Sequence, residues 1–328
     1  MAAKKPTMRD IARAVGTSAV TVSKALAGKP GMSDRLRAKI LKKAGEMGYA
    51  YPRAGGSAGD RHLDIGILIP ERYFEADSFY AEICRRLVKK LSGLGHYGLM
   101  EILRPEEEEA LTFPRLLTAG HADGLILLGE PSKAYYRKIA QAGVPVVFLD
   151  FYDEQANADA VAGDNSYGTY RLTSHLIRRG HREIGFVGNI RATGSIMDRF
   201  LGFYRAMLVN DLPVNQGWIL PDRETTGGLA RPELPEKMPT AFVCNCDMTA
   251  RMMIGLLQEK GYRVPEDVTV TGFDDYPQGS EEDIPISTFR IDTEAMADMA
   301  VQMITERCAG SDKPFGRMVI GGQPVYRD

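Results

Sequence analysis

The sequence predicts a small helical N-terminal head followed by an α/β body of two doubly wound lobes, and three observations carry that reading. Between Thr7 and Leu26 apolar residues recur at helical spacing, first Met8, Ile11, Ala12 and Val15, then Val22 and Ala25; this is the stripe of short helices that bury one face. From Leu63 onward, continuous apolar runs alternate with amphipathic helices through two successive cycles, the pattern of parallel sheets covered on both sides. The charge is divided as well. Residues 1–62 hold 13 Lys plus Arg against 4 Asp plus Glu, a net of +9, whereas the remaining 266 residues hold 28 against 39, a net of −11. The overall charge of −2 therefore conceals a basic head on an acidic body, as expected where only the head meets phosphate.

In the head, Thr7 is the natural N-cap of the first helix, with Asp10 in its first turn near the positive end of the helix dipole. Gly16 supplies a turn and Ser18 caps a second helix, from which Ala19, Val20, Thr21, Ser23 and Lys24 face outward. Ser33 caps a third helix over 34–47, whose Leu36, Ile40, Leu41 and Ala44 face closes a three-helix core. A helical hairpin of no particular function would satisfy the first twenty residues equally well. The third helix and the basic charge favour a helix-turn-helix, which lays its second helix in the DNA major groove.

The stretch DIARAVGTSAVTVSKAL, with a third helix in place behind it, resembles the DNA-binding head of LacI-type bacterial transcription regulators, and the resemblance continues along nearly the whole chain. It implies a head over 1–49, a linker over 50–62 and an effector-binding and dimerisation core over 63–328. In the head, Ala19, Val20 and Lys24 would face bases, while Thr7, Ser18, Thr21 and Ser23 serve the helix starts and phosphate. In this family the linker forms a hinge helix that wedges a leucine into the minor groove. Here the wedge position falls on Ala58 or Gly59, neither able to part a base step, and Gly55, Gly56 and Gly59 disfavour helix. Weaker coupling between effector and DNA is expected.

In the body, LDIGILIP, YGLMEIL, DGLILLG and VPVVFLD read as strands, with helices over 79–94, carrying Ile83, Leu87, Val88 and Leu91 on one stripe, and over 133–143. The acidic run 106–109 reads as a solvated helix start. The cycle then restarts with helices over 164–180, 195–210 and 248–261 between the strands HREIGFVG, TAFVCNC and DVTVTGFDD. A helix over 293–308 follows. The resemblance implies lobes of periplasmic-binding-protein type, one from about 63–162 plus 291–320 and the other from about 163–290 plus 321–328.

Ligands of open α/β folds sit at the carboxyl ends of strands. Those positions carry Phe79 and Tyr80, suited to stacking on a ring, and Asp150, a carboxylate ending an apolar strand. In the second lobe Ser195, Arg199 and Asp274 match the family's cleft residues, and Arg223 is a weaker candidate. Arg199 stands foremost, because a guanidinium fork holds paired hydroxyls or a carboxylate. Cys246 stands where the family commonly has an asparagine, with Asn245 one place early, so the pattern of ligand hydroxyls is altered.

Cys84, Cys244, Cys246 and Cys308 show no zinc spacing, and no phosphate loop, hydrolase elbow or metalloprotease motif is present. No metal, cofactor or catalytic residue is expected. Met1 to Pro6 lacks an apolar run, so no secretory leader is expected, and no later segment is long and apolar enough for a membrane association to be expected. The expectation is a cytoplasmic homodimeric repressor of pseudo-palindromic operator DNA, controlled by a sugar or sugar derivative, with a purine behind it. The competing reading is a solute-binding protein that uses the same two lobes without DNA control.

Overall fold

The computed structural model describes residues 7–26, 32–47, 62–74, 79–224, 228–276 and 284–327. The linker positions Ala58 and Gly59 lie outside the described residues, as does the side chain of Ser23. The chain divides into two compact units, Met1–Arg61 and His62–Asp328.

The first unit holds α1 (Met8–Val15), α2 (Ala19–Leu26) and α3 (Asp34–Glu46). At the start of α1, Thr7 Oγ1 accepts the Asp10 N–H at 3.4 Å, and the Thr7 N–H donates to the Asp10 carboxylate at 2.9 Å. This reciprocal box satisfies two amides that the helix cannot. Gly16 ends α1 at a φ of 76°, the left-handed region where a missing Cβ removes the steric penalty. Ser18 Oγ accepts the Thr21 N–H at 3.1 Å and Ser33 Oγ the Leu36 N–H at 3.4 Å. Ile11, Ala12, Val15, Val22, Ala25, Ile40 and Ala44 form the core.

Two expectations for this head change. Leu41 lies 48% exposed, one residue off the stripe that Leu36, Ile40 and Ala44 supply. Ala19 packs partly against the core instead of facing outward, because it precedes Val22 by nearly one turn on the same face.

In the second unit, β1 (Asp64–Pro70), α4 (Phe79–Gly93), β2 (Tyr97–Leu103), α5 (Pro105–Glu109), α6 (Arg115–Thr118), β3 (Gly124–Leu128), α7 (Lys133–Ile139), β4 (Val146–Leu149) and β5 (Asp159–Gly163) come first. Next are α8 (Asn165–Arg178), β6 (Ile184–Val187), α9 (Gly194–Val209), β7 (Ile219–Leu220), β8 (Ala241–Cys244), α10 (Asp247–Glu259) and β9 (Thr269–Thr271). The chain closes with β10 (Thr288–Ile291), α11 (Thr293–Cys308), β11 (Arg317–Ile320) and β12 (Gly322–Val325). One lobe is built on a parallel six-stranded sheet of order β11-β5-β4-β3-β1-β2, the other on a parallel four-stranded sheet of order β7-β6-β8-β9. β10 and β12 form a separate antiparallel pair.

The core of the first lobe joins β1, β3, β4 and α4 to Met296, Ala297, Ala300, Val301 and Ile304 of α11. On α4 the buried stripe is Ile83, Cys84, Leu87 and Leu91; Val88, expected on it, is 40% exposed. α7 stops at Ile139, short of Gly143, where hydrogen bonds to the third preceding residue replace the helical pattern. The acidic run is not wholly solvated. Glu108 is buried, and its carboxylate takes Arg72 Nη1 at 2.6 Å and the Ser132 N–H at 2.6 Å, the pairing that makes burial tolerable.

α8 and α9 pack backbone to backbone at Gly202, where an added Cβ would stand 2.1 Å from the Ser166 carbonyl oxygen and 3.0 Å from Tyr170 N. Gly202→Ala must part the two helices. A loss of about 1–3 kcal/mol is expected in urea unfolding. Gly255→Ala on α10, where a Cβ meets nothing within 4 Å, is the control and should be neutral or mildly stabilising.

Candidate functional site

The carboxyl end of β4 delivers Asp150 at a φ of 70°, with its side chain almost wholly buried. Tyr80, from the first turn of α4, donates its hydroxyl to Asp150 Oδ2 at 2.8 Å. Phe79 packs its edge against Tyr80, 5.4 Å between ring centres. Phe79 also lines a cavity of about 710 Å³ with Asp274, Asp275 and Arg290 beside the β10–β12 pair. Burial pushes the Asp150 carboxyl up to about 6, against the pull of the nearby Arg199 charge.

Arg199 comes from α9 of the other lobe. Its Nε donates to Asn165 Oδ1 at 2.8 Å, Nη1 to the Asn245 carbonyl at 2.6 Å and Nη2 to Asp274 Oδ1 at 3.0 Å. The guanidinium also lies 4.0 Å from the centre of the Phe273 ring. The fork expected to meet ligand is thus held on three sides by its own lobe, with its plane fixed. Asp198, its neighbour, instead accepts the Tyr152 hydroxyl. Asp274 follows β9 in a left-handed conformation, φ 97°. Burial raises its carboxyl while Arg199 draws it down.

Arg223 Nη2 pairs with Asp222 at 2.8 Å and reaches Asn245 Oδ1 at 3.3 Å and Cys246 Sγ at 3.8 Å. Burial raises the Cys246 thiol more than Arg223 lowers it, so the thiolate that nucleophilic chemistry needs is disfavoured. Asn245 turns inward, donating to Asp222 Oδ2 at 2.6 Å and to the Val187 carbonyl at 3.2 Å. It braces the lobe and does not replace the missing cleft amide. Ser195 sits in the first turn of α9, its hydroxyl 3.0 Å from that of Thr193, which caps the helix.

Asp150, bonded to Tyr80 in one lobe, lies close enough to Arg199 and Asp274 of the other for both charges to act on its carboxyl, and Arg223 acts likewise on Cys246 and Asp274 on the second-lobe side. The sequence reading missed Asn165, Asp222 and Glu130. Each stands two residues past a strand end, so the rule that selected Asp150 could have found them. Glu130, after β3, accepts the Gly194 N–H at 2.7 Å.

In the head, Val20 is 66% exposed and Lys24 is exposed, on one outward face of α2. The Thr21 hydroxyl stays 2.9 Å from that of Ser18, and Thr7 donates its hydroxyl to Asp10. Among the described residues, no group of side chains is arranged to hold a metal ion, and no helix is long and apolar enough to cross a membrane.

A helix-turn-helix head in one chain with two parallel-sheet lobes that converge polar side chains between them defines a class: transcription regulators with a periplasmic-binding-protein-like body. Residues 7–51 match the family model described as bacterial regulatory proteins, lacI family, and residues 173–328 match that of the periplasmic binding protein-like domain. The chain is 26% identical to the ribose operon repressor of Haemophilus influenzae, over 98% of both chains. It is 25% identical to the HTH-type transcriptional repressor PurR of Vibrio parahaemolyticus, over 97% of this chain and 96% of that one. Among solved structures it resembles the lac repressor dimer bound to operator and the anti-inducer ONPF, with a TM-score of 0.67, 22% identity and coverage of 99% of this chain and 98% of that one. It also resembles the complex of the transcriptional regulator CelR with cellobiose, with a TM-score of 0.68, 22% identity and coverage of 98% and 99%. The chain therefore joins a lacI-family DNA-binding domain to a periplasmic binding protein-like domain, as its repressor relatives resemble it along nearly their whole length.

Proposed function

We propose that this regulator is a repressor that binds a pseudo-palindromic operator as a homodimer and is controlled by a small polyhydroxylated molecule held between its lobes. The observation that carries the effector site is that Asp150, bonded to Tyr80 in one lobe, feels the charges of Arg199 and Asp274, which are paired in the other. A ligand bridging these groups favours one lobe arrangement over another, and only such differential binding can shift a conformational population. The relatives support a sugar as first candidate, since they include a ribose operon repressor and a cellobiose-bound regulator. In this reading residues 1–49 bind DNA and 50–62 link. One lobe takes 63–162 with 291–320, and the other takes 163–290 with 321–328.

Two surfaces support the rest. On α2, Val20 suits a thymine methyl and Lys24 a guanine edge. On the first lobe β2 is an edge strand, and Met100, 46% exposed, shares a strand face with Gly98, whose neighbour is the exposed Val88 of α4. A second copy of the chain would cover this apolar strip, as two-fold symmetry on a palindrome requires.

The test has two arms. Selection from random duplexes with the full chain should return a pseudo-palindrome, and Lys24→Ala should weaken binding to it by about 1–3 kcal/mol. Thermal unfolding against sugars, sugar phosphates, nucleobases and nucleosides should find a stabilising ligand, worth about 2.7 kcal/mol at a hundred times its Kd. That ligand should change the affinity for the selected duplex. A ligand that stabilises the chain without altering DNA binding would favour solute binding alone.

A further inference from the structure

Helix α9 is apolar on nearly every side. Of its 16 residues only Asp198, Arg199 and Arg205 carry charge, and Arg199 is buried. Ile196, Gly202, Phe203, Ala206 and Met207 face the lobe. On the outer side Met197, Leu201, Tyr204 and Leu208 are 36%, 49%, 37% and 56% exposed, and Val209 beside them is 63% exposed. A helix that is hydrophobic all round is ordinarily covered, and a contiguous apolar stripe left open marks a contact with another molecule.

The stripe and its flank indicate which partner fits. Met197, Leu201, Tyr204 and Leu208 follow one another at spacings of four, three and four residues, the period of a helix that packs lengthwise on another helix. Asp198 and Arg205 flank the stripe on one side, a heptad apart. Neither has an ion-pair partner among the described residues: the Asp198 carboxylate accepts the Tyr152 hydroxyl at 3.3 Å, and Arg205 lies over the Tyr170 ring, 5.0 Å from its centre. Two copies of α9 laid antiparallel about a two-fold axis set Met197 against the partner's Leu208 and Leu201 against the partner's Tyr204. The same register brings each Asp198 beside the partner's Arg205, so apolar and charged patterns are both self-complementary. A parallel pair would set like charges together.

We propose that α9 is a second self-association face, through which two dimers join as a tetramer by antiparallel α9 pairs. One such pair removes on the order of 800 Å² from water, below the ~1,200 Å² at which stable specific interfaces begin, so a single contact holds poorly. Two dimers meeting through both of their α9 faces bury roughly twice that, in the standard range, and closed two-fold symmetry supplies the double contact. The tetramer rests on the reading that the chain is a homodimer on its operator.

Sedimentation velocity of the full-length chain over a range of concentrations provides the test. The wild type should grow from dimer to tetramer, and Leu201→Glu combined with Leu208→Glu should stop at half the wild-type mass. Both side chains are about half exposed, so the fold tolerates the change, which an unaltered urea midpoint checks. The register is tested by mixing Leu201→Cys chains with Tyr204→Cys chains under mild oxidation. These should cross-link to one another faster than either does to itself, with the wild type as control for the native thiols. Equal mass of the wild type and the double glutamate variant at every concentration, or no preference in cross-linking, overturns the proposal. The dimer reading is judged separately: the double glutamate variant should remain dimeric and bind the selected duplex. A monomeric variant would remove the first-lobe contact while its loss of mass still supported the α9 pair.

Discussion

Arg199→Ala is expected to destabilise the second lobe by about 3–5 kcal/mol at neutral pH, the usual consequence of removing one partner of a buried ion pair. The side chains of Arg199 and Asp274 are 7% and 11% exposed, so water does little to replace the lost partner. The same change strips the acceptors Asn165 Oδ1 and the Asn245 carbonyl of their donor. Effector response should be lost with it, because the second-lobe cation whose charge acts on Asp150 is gone. The loss of stability should shrink as pH falls: burial already raises the Asp274 carboxyl, and without the guanidinium it takes a proton more readily. Arg199→Lys should recover only part of the stability, since an ammonium keeps the charge but cannot reach three acceptors in one plane. Urea unfolding of the three proteins at two pH values decides the matter. A wild-type midpoint for Arg199→Ala would show the three contacts to be energetically incidental.

Asp150→Asn should stabilise the protein at pH 8 by up to about 3 kcal/mol, from a difference of roughly two pKa units between the folded and unfolded chain. The folded carboxyl stands at about 6 against an ordinary 3.8. A raised acid binds its proton more tightly when folded. Its protonated form therefore favours the folded state fully below the unfolded value, and stability declines as pH climbs from about 4 to 6 and then levels. Asparagine removes this slope while keeping an oxygen to accept the Tyr80 hydroxyl. It also tolerates the left-handed backbone, φ 70°, better than most residues. The expected accompaniment is weaker effector binding, the exchange of stability for function common at ligand sites. If Asp150→Asn were less stable than the wild type at pH 8, the carboxylate would be held by charge and not merely tolerated.

Much of this was legible in the sequence because it is local. Thr7, Ser18 and Ser33 announce helix starts through their own side chains, and runs such as GILIP and LILL announce strands buried on both faces. What escaped depends on partners distant in the chain. β11 carries Met318 and Val319 at 41% and 44% exposure and becomes a strand only because β5 offers it a free edge. Val88 and Cys84 both lie near the apolar arc of α4, and the packing of distant elements against that helix covers Cys84 and leaves Val88 40% exposed. Chemical type picked out Arg199, Asp150 and Asp274. It could not show that Asn165 and Asn245 hold the guanidinium from behind, since nothing in their spacing links positions 34 and 46 residues from Arg199.

The first lobe is not contiguous. Its sheet is completed at one edge by residues 317–320, and its core by five side chains of α11. During synthesis β1 to β5 leave the ribosome long before those segments exist, and their apolar faces must wait while the whole of the other lobe is made. The second lobe, whose sheet uses only residues 184–271, can take shape first. Chain order and order of assembly therefore run opposite to one another, and the lobe synthesised first is the one most exposed to chaperones and to misassociation.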